Sequence, residues 1–196
     1  MKVIAATKNK GKIREMEEIL SPLGIEIVPQ TEMGIVLDVE ETGDTFEKNA
    51  LIKARAVRMV SDYPVLADDS GLCVDALGGA PGVRSARYAG DNATDADKIK
   101  KLLSELGENK NRDAKFVTCI AFITADGREI TAHGEVKGHI TKEPSGNNGF
   151  GYDPIFFSDE LKKTFAEGTD EEKNSVSHRS RALHNLYEKI KGFTEE

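Results

Sequence analysis

The chain has 196 residues, with 27 Lys and Arg against 34 Asp and Glu and a formal net charge of −7. Hydrophobic residues make up 38% and charged residues 31%, which excludes a disordered, collagen-like or coiled-coil chain, and a length near 200 buries roughly 70% of the unfolded surface without disulfides or structural metal. The acidic balance excludes a protein that coats nucleic acid through a dense basic surface. No stretch approaches the ~18 apolar residues of a membrane span, so a soluble cytoplasmic protein with neither nucleic acid nor membrane as partner is expected. Cys73 and Cys119 each sit in an apolar run, as buried thiols do in a reducing compartment.

In chain order, residues 2–7 (KVIAAT) form an apolar run entering a polar turn, and Ile13, Met16, Ile19 and Leu20 follow at helical spacing. Strand, loop and helix (12–20) are expected. Gly24 ends that helix, 25–28 reads as a second strand, and 34–42 (GIVLDVEET) as an extended acidic stretch. Phe46, Ala50, Leu51, Ala54, Val57 and Val60 mark one stripe of a long helix, with Lys48, Lys53, Arg55 and Arg58 mostly on its other faces. A buried-type strand at 64–67 runs into Asp68-Asp69-Ser70-Gly71, and more extended apolar chain follows. Residues 78–92 are rich in Gly and turn formers, a long ordered loop of the functional kind. Thr94 and Asp97 form a capping pair for a helix through Leu106, and 115–124 with 129–136 form a hairpin around Ala125-Asp126-Gly127. A glycine-rich segment, 145–152, leads into 154–157, and a helix carrying Ala182, Leu183, Leu186 and Ile190 closes the pattern. Strands alternating with helices, then a hairpin, predict a mixed sheet in an α/β domain.

Four polar segments can carry chemistry. The turn Thr7-Lys8-Asn9-Lys10-Gly11-Lys12 delivers a hydroxyl, an amide, ammoniums and backbone N–H groups to a helix N-terminus, the equipment for phosphate oxygens, although a solvated lysine-rich turn has the same composition. Asp68 and Asp69 point in opposed directions if strand geometry persists. One would then face a ligand and the other be buried, where a lysine or a divalent cation such as Mg²⁺ keeps it ionised. Ser70 follows them, and Glu40 and Glu41 are further candidate ligands. An ordinary turn is the competing reading.

In Gly149-Phe150-Gly151-Tyr152-Asp153-Pro154 the glycines admit close backbone approach, the aromatic faces suit a flat base, and Asp153 is an acceptor at its edge; a glycine turn plugging the core is the alternative. Lys173, His178 and Arg179 bunch near a helix N-terminus as donors for an anion or carbonyl, or as a solvated first turn. His133, His139 and His184 lack metal-ligand spacing and read as structural or surface residues. There is no Gly-x-Ser-x-Gly and no CxxC, so acyl transfer and zinc catalysis lack support.

Taken together, TxNxxK at Thr7, Asn9 and Lys12, EETG at 40–43, ADDSGL at 67–72, GGAPG at 78–82, SARY at 85–88, FGYDPIF at 150–156 and EEKNSVSHR at 171–179 resemble the inosine/xanthosine triphosphate pyrophosphatases. The resemblance covers essentially the whole chain. It implies a single, elongated, two-lobed α/β domain over 1–196, its central mixed sheet flanked by helices and its nucleotide in a cleft between the lobes. It also implies a Mg²⁺-dependent homodimer that hydrolyses ITP, dITP and XTP to the monophosphate and pyrophosphate. By position, Thr7, Lys8, Asn9, Lys10, Gly11 and Lys12 would hold the triphosphate and Glu40 and Asp69 the metal, with Asp69 also the proton acceptor. Ser70, Phe150, Gly151, Tyr152, Asp153, Lys173, His178 and Arg179 would complete the substrate site, the last two as donors to the purine O6. A pyrophosphatase for modified pyrimidine nucleotides would share the phosphate loop but not the SHR segment and is separated by a substrate panel; a nucleotide sensor without catalysis, against which Asp69 and Glu40 count, is separated by an assay for Mg²⁺-dependent pyrophosphate release.

Overall fold

The computed structural model describes residues 1–193. It holds one mixed seven-stranded sheet in the order β2-β1-β3-β4-β5-β6-β7, flanked by helices as the alternation predicts. The strands are β1 (Lys2–Ala5), β2 (Glu26–Pro29), β3 (Val65–Val74), β4 (Asp113–Ile123), β5 (Glu129–Ile140), β6 (Phe156–Ser158) and β7 (Lys163–Thr164). The α-helices are α1 (Lys10–Leu20), α2 (Phe46–Arg58), α3 (Asp95–Leu106), α4 (Asp170–Val176) and α5 (His178–Ile190). β1 pairs parallel with β2 and β3, whereas β5–β6 and β6–β7 are antiparallel. None of these helices is long and apolar enough to cross a membrane.

The chain divides into two compact units, residues 1–69, 118–134 and 179–196 in the first and 70–117 and 135–178 in the second. In the first, the period-2 alternation of strands assigns each side chain to a face. Val3, Ala5, Leu66, Ile120 and Phe122 join α1 and α5 through Met16, Leu20, Ala182, Leu183 and Leu186. Ile4, Ala6, Val65, Ala67, Cys119 and Ala121 join α2 through Ala50, Ala54 and Val57. Covered on both faces, these strands read as continuous apolar runs rather than as alternation. The second unit closes over Leu72, Val74, Leu102, Phe116, Val136, Ile155, Phe156 and Phe165. There α3 begins with the expected capping box between Thr94 and Asp97, an arrangement whose N-cap alone contributes about 1 kcal/mol.

Three expectations change. The strand read at 64–67 does not stop before the aspartates; β3 runs unbroken through Asp68-Asp69-Ser70-Gly71, because both carboxylates find buried partners on their own faces. The helix expected from residue 12 starts at Lys10, since Asn9 caps it. The donor cluster 171–181 spans two helices separated at Ser177, with Lys173 on α4 and His178 and Arg179 opening α5. Neither cysteine is in a disulfide; Cys119 is buried and Cys73 only half-buried.

Candidate active site

The alternation that sorts the core also sorts the acidic pair. Leu66 faces α1 and α5, so Asp68 does too; Val65 and Ala67 face α2, so Asp69 does too. Asp68 has no solvent exposure. Its Oδ2 accepts from Arg179 Nε at 3.0 Å and from the Thr118 hydroxyl at 2.8 Å, and Lys12 Nζ forms an ion pair with Oδ1. Arg179, itself buried, places Nη1 on Glu15. Burial alone would raise the Asp68 carboxyl, but Arg179 and Lys12 hold it well below its ordinary 3.8. Burial pulls the Lys12 ammonium below its ordinary value, Asp68 opposing and Lys53 and Arg179 adding to the pull.

Asp69 is approached from α2. Asn49 Nδ2 donates to Oδ2 at 3.3 Å and Lys53 Nζ to Oδ1 at 3.1 Å, while the same ammonium reaches Glu41 Oε1 at 2.6 Å and the Asp68 carbonyl at 2.8 Å. Burial pushes the Asp69 carboxyl above its ordinary 3.8; Lys53 and Lys12 pull against it and Glu41 pushes further. The adjacent aspartates are therefore driven in opposite directions, the pattern by which a site separates a structural anion from a proton acceptor. Gly43 fixes this geometry: its N–H donates to Asn49 Oδ1 at 2.7 Å, and a Cβ there would lie 2.6 Å from that oxygen.

In the loop at 7–12, the Asn9 side chain accepts from Lys12 N–H at 3.1 Å and the Thr7 hydroxyl accepts from Asn9 N–H at 3.2 Å. Lys8, Asn9 and Lys10 are exposed and Gly11 half-buried around the N-terminus of α1, where unpaired N–H groups and the helix dipole favour an anion. Lys8 meets Asp38 at 3.4 Å. Thus Lys12 turns inward onto Asp68 while the rest of the loop faces outward.

In the second unit, Asp153 is buried and its Oδ2 accepts from Phe150 N–H at 2.9 Å and from Lys173 Nζ at 2.6 Å. That ammonium lies 4.6 Å from the Phe150 ring centroid. His178 stacks on Phe116, ring centroids 4.8 Å apart. Tyr152 is a core residue, its hydroxyl donating to the Ser85 carbonyl at 2.8 Å, which is the role the SARY segment plays. Ser70 is half-buried on β3. A cavity of about 610 Å³ runs along the glycine loop and α3, lined by Asp95, Ile99, Leu103, Pro144 and Phe150; Asp153, Lys173 and His178 do not line it, so it is not assigned to the base.

The loop makes a sharp steric demand. Gly149 has φ +74° and a Cβ on it would fall 2.1 Å from Asp153 Oδ2, whereas at Gly151, φ +64°, a Cβ would meet nothing within 4 Å. Gly151→Ala carries only the cost of a left-handed residue, about 1–2 kcal/mol. Gly149→Ala is expected to lose a further ~1–3 kcal/mol by overpacking and to pull Asp153 off Lys173, which paired thermal melts of the two variants measure.

Several of the expected site residues thus come together within a unit: Lys12 and Asp69 with their partners in the first, Phe150, Asp153 and Lys173 in the second. Glu40 is exposed, and its neighbour Glu41 is the one held by Lys53. Arg179 has its guanidinium on Asp68 and Glu15, and Tyr152 is buried with its hydroxyl on the Ser85 carbonyl. Glu15, Asn49, Lys53 and Thr118 were not expected from the sequence. Lys53, read there with the residues mostly on the other faces of the helix, is only 13% exposed. Its signal was present: Asn49 and Lys53 sit four apart and flank one edge of the apolar stripe of Ala50, Ala54 and Val57 when a 3.6-residue period is applied.

Residues 3–189 match the Ham1 family. A dITP/XTP pyrophosphatase of Treponema denticola is 49% identical over 98% of this chain and 100% of its own length, and one of Haemophilus influenzae is 50% identical over 96% and 98%. Among solved structures, a HAM1 protein from Coxiella burnetii superposes with a TM-score of 0.88 at 45% identity over 98% of this chain and 99% of that one, and the Staphylococcus aureus Ham1 protein with 0.87 at 41% over the same shares. With the family matched over nearly its full length, and with relatives and folds agreeing across both units, this chain belongs to the Ham1 family.

Proposed function

We propose that this chain hydrolyses the non-standard purine nucleoside triphosphates dITP, ITP and XTP to the nucleoside monophosphate and pyrophosphate, with Mg²⁺ as cofactor. The observation that carries the reading is Asp69: a buried carboxylate raised in basicity and aimed by Asn49 and Lys53, in a chain whose relatives are named dITP/XTP pyrophosphatases over their whole length. A water is oriented by Asp69, which takes its proton as the oxygen attacks the α-phosphorus. The bond to the bridging oxygen of the β-phosphate breaks and pyrophosphate leaves. The N-terminus of α1 and the ammoniums of Lys8, Lys10 and Lys12 stabilise the negative charge on the leaving group. Lys53 fixes the Asp69 carboxylate and holds Glu41 beside it, leaving hard oxygen donors on Asp69, Glu40 and Glu41, the donor class that suits Mg²⁺. When bound there, Mg²⁺ supplies charge neutralisation and a more acidic water.

On the base side, Lys173 and His178 are donors that match the O6 of hypoxanthine and xanthine and meet the N6 amino group of adenine as an unpaired clash, a discrimination that hydrogen-bonding sites enforce strongly. Arg179 supports this segment through Asp68 and Glu15. Triphosphate and base are thereby assigned to different residues of the chain. Lys12→Ala is expected to weaken pyrophosphate as a product inhibitor and leave the dITP over dATP ratio in place. Lys173→Met is expected to shrink that ratio, by roughly tenfold or more for a lost charged hydrogen bond, and leave pyrophosphate inhibition unchanged. Inhibition and competition kinetics on the two variants separate these roles, and a swap of phenotypes would refute the division.

The reading as a whole is tested by a panel of dITP, XTP, GTP, dATP and dUTP with and without Mg²⁺, scored as pyrophosphate against orthophosphate. Mg²⁺-dependent pyrophosphate release confined to dITP and XTP is expected; preference for dUTP would overturn the purine assignment. A cytoplasmic homodimer belongs to the same proposal, and sedimentation velocity checks the dimer.

A further inference from the structure

On the first unit, three side chains of different chemistry that the proposed reaction does not use converge. The hairpin register brings two of them together. Thr124 N–H bonds to Arg128 O at one end and Ile140 N–H to Arg112 O at the other, both pairs fixing the same register, so Cys119 of β4 lies opposite His133 of β5. Their Sγ and Nε2 atoms are 3.9 Å apart. The third, Glu47, comes from the first turn of α2 and places Oε2 2.9 Å from His133 Nε2. One ligand atom from each of the three lies within 4.8 Å of the others, and among the described residues no other group of three or more His, Cys, Asp or Glu is gathered this closely.

We propose that Glu47, Cys119 and His133 form a binding site for a divalent transition cation of the zinc class. One thiolate, one imidazole and one carboxylate make a three-ligand set that leaves a fourth tetrahedral position for water, and the sulfur and nitrogen donors select against Mg²⁺. Supporting contacts are in place. The Thr131 hydroxyl donates to Glu47 Oε2 at 3.4 Å, the kind of outer contact that orients a metal ligand, and Asn185 Nδ2 donates to the His133 backbone carbonyl at 3.0 Å. The Glu47 and His133 side chains are 46% and 57% exposed, which gives an ion a way in, while Cys119 forms the buried floor. As the metal–sulfur bond forms, the thiol proton leaves to solvent. The site uses none of the groups assigned to the pyrophosphatase reaction, so the inference stands or falls independently of that function.

The test uses the full chain in excess Mg²⁺, titrated with Co²⁺ and, separately, dialysed against Zn²⁺ and assayed for metal content. One equivalent of Zn²⁺ and a cobalt–thiolate charge-transfer absorption are expected, and Cys119→Ser abolishes the absorption. His133→Gln and Glu47→Gln, exposed substitutions that leave the core intact by circular dichroism, each weaken Zn²⁺ binding by at least about 10-fold to 100-fold, the range that losing even a supporting partner brings. Absence of retained Zn²⁺, an absorption that survives Cys119→Ser, or an affinity unchanged in both surface variants overturns the assignment.

Discussion

Asp69→Asn is expected to lower kcat for dITP by about 10²–10⁴-fold, the span that a positioned general base contributes, while KM changes little. The amide is isosteric, and the Asn49 and Lys53 side chains can still contact its carbonyl oxygen, so binding survives. What disappears is a carboxylate able to accept a proton, one that burial and Glu41 have made more basic than an ordinary aspartate. Single-turnover kinetics measures the chemical step apart from product release. A variant that keeps near-native single-turnover rates removes Asp69 from the mechanism, and a KM that rises in step with the fall in kcat/KM assigns it to binding.

Arg179→Met is expected to cost stability, about 3–5 kcal/mol, because it leaves two buried carboxylates, Asp68 and Glu15, without the guanidinium that neutralises them. Urea melts measure this loss, and pH supplies the sign. Burial works to raise the Asp68 carboxyl, and Arg179 with Lys12 overrides it, setting the folded pKa well below the 3.8 of the unfolded chain. A depressed carboxylate contributes stability that is fully present above the unfolded value and is lost as pH falls through the folded one. The wild type therefore holds this contribution down to about pH 4 and gives it up below. With Arg179 gone the folded pKa of Asp68 moves up toward its unfolded value, so the variant has less of this contribution to lose and its acid limb is shallower than the wild type's. Acid limbs that run parallel in wild type and variant, or a loss under 1 kcal/mol, would show that the ion pairs do not carry the stability assigned to them.

The elements of this fold were legible where a local signal set them: the capped α3, the hairpin at Asp126-Gly127, the apolar stripe of α5. Boundaries failed where partners distant in sequence decided the outcome. The acidic pair reads as a turn in any short window, and β3 continues through it only because Arg179, 111 residues away, and Asn49 and Lys53 on α2 receive the two carboxylates. The phosphate loop and the glycine loop were visible from residue type alone. The division of Asp68 and Asp69 between two helices follows from strand alternation, which the sequence contains, but the identities of Glu15 and Thr118 as partners do not follow from any periodicity. At Tyr152 and Arg179 residue type alone did not show the surroundings: the fold buries the Tyr152 ring in the core of the second unit and sets the Arg179 guanidinium in a buried ion-pair network with Asp68 and Glu15.

Hydrolysis of dITP in ¹⁸O-labelled water, with products resolved by mass spectrometry, locates the attack: one pyrophosphate per dIMP is expected, with the label in dIMP because water attacks the α-phosphorus. Label in the pyrophosphate, or orthophosphate as the first product, would contradict it.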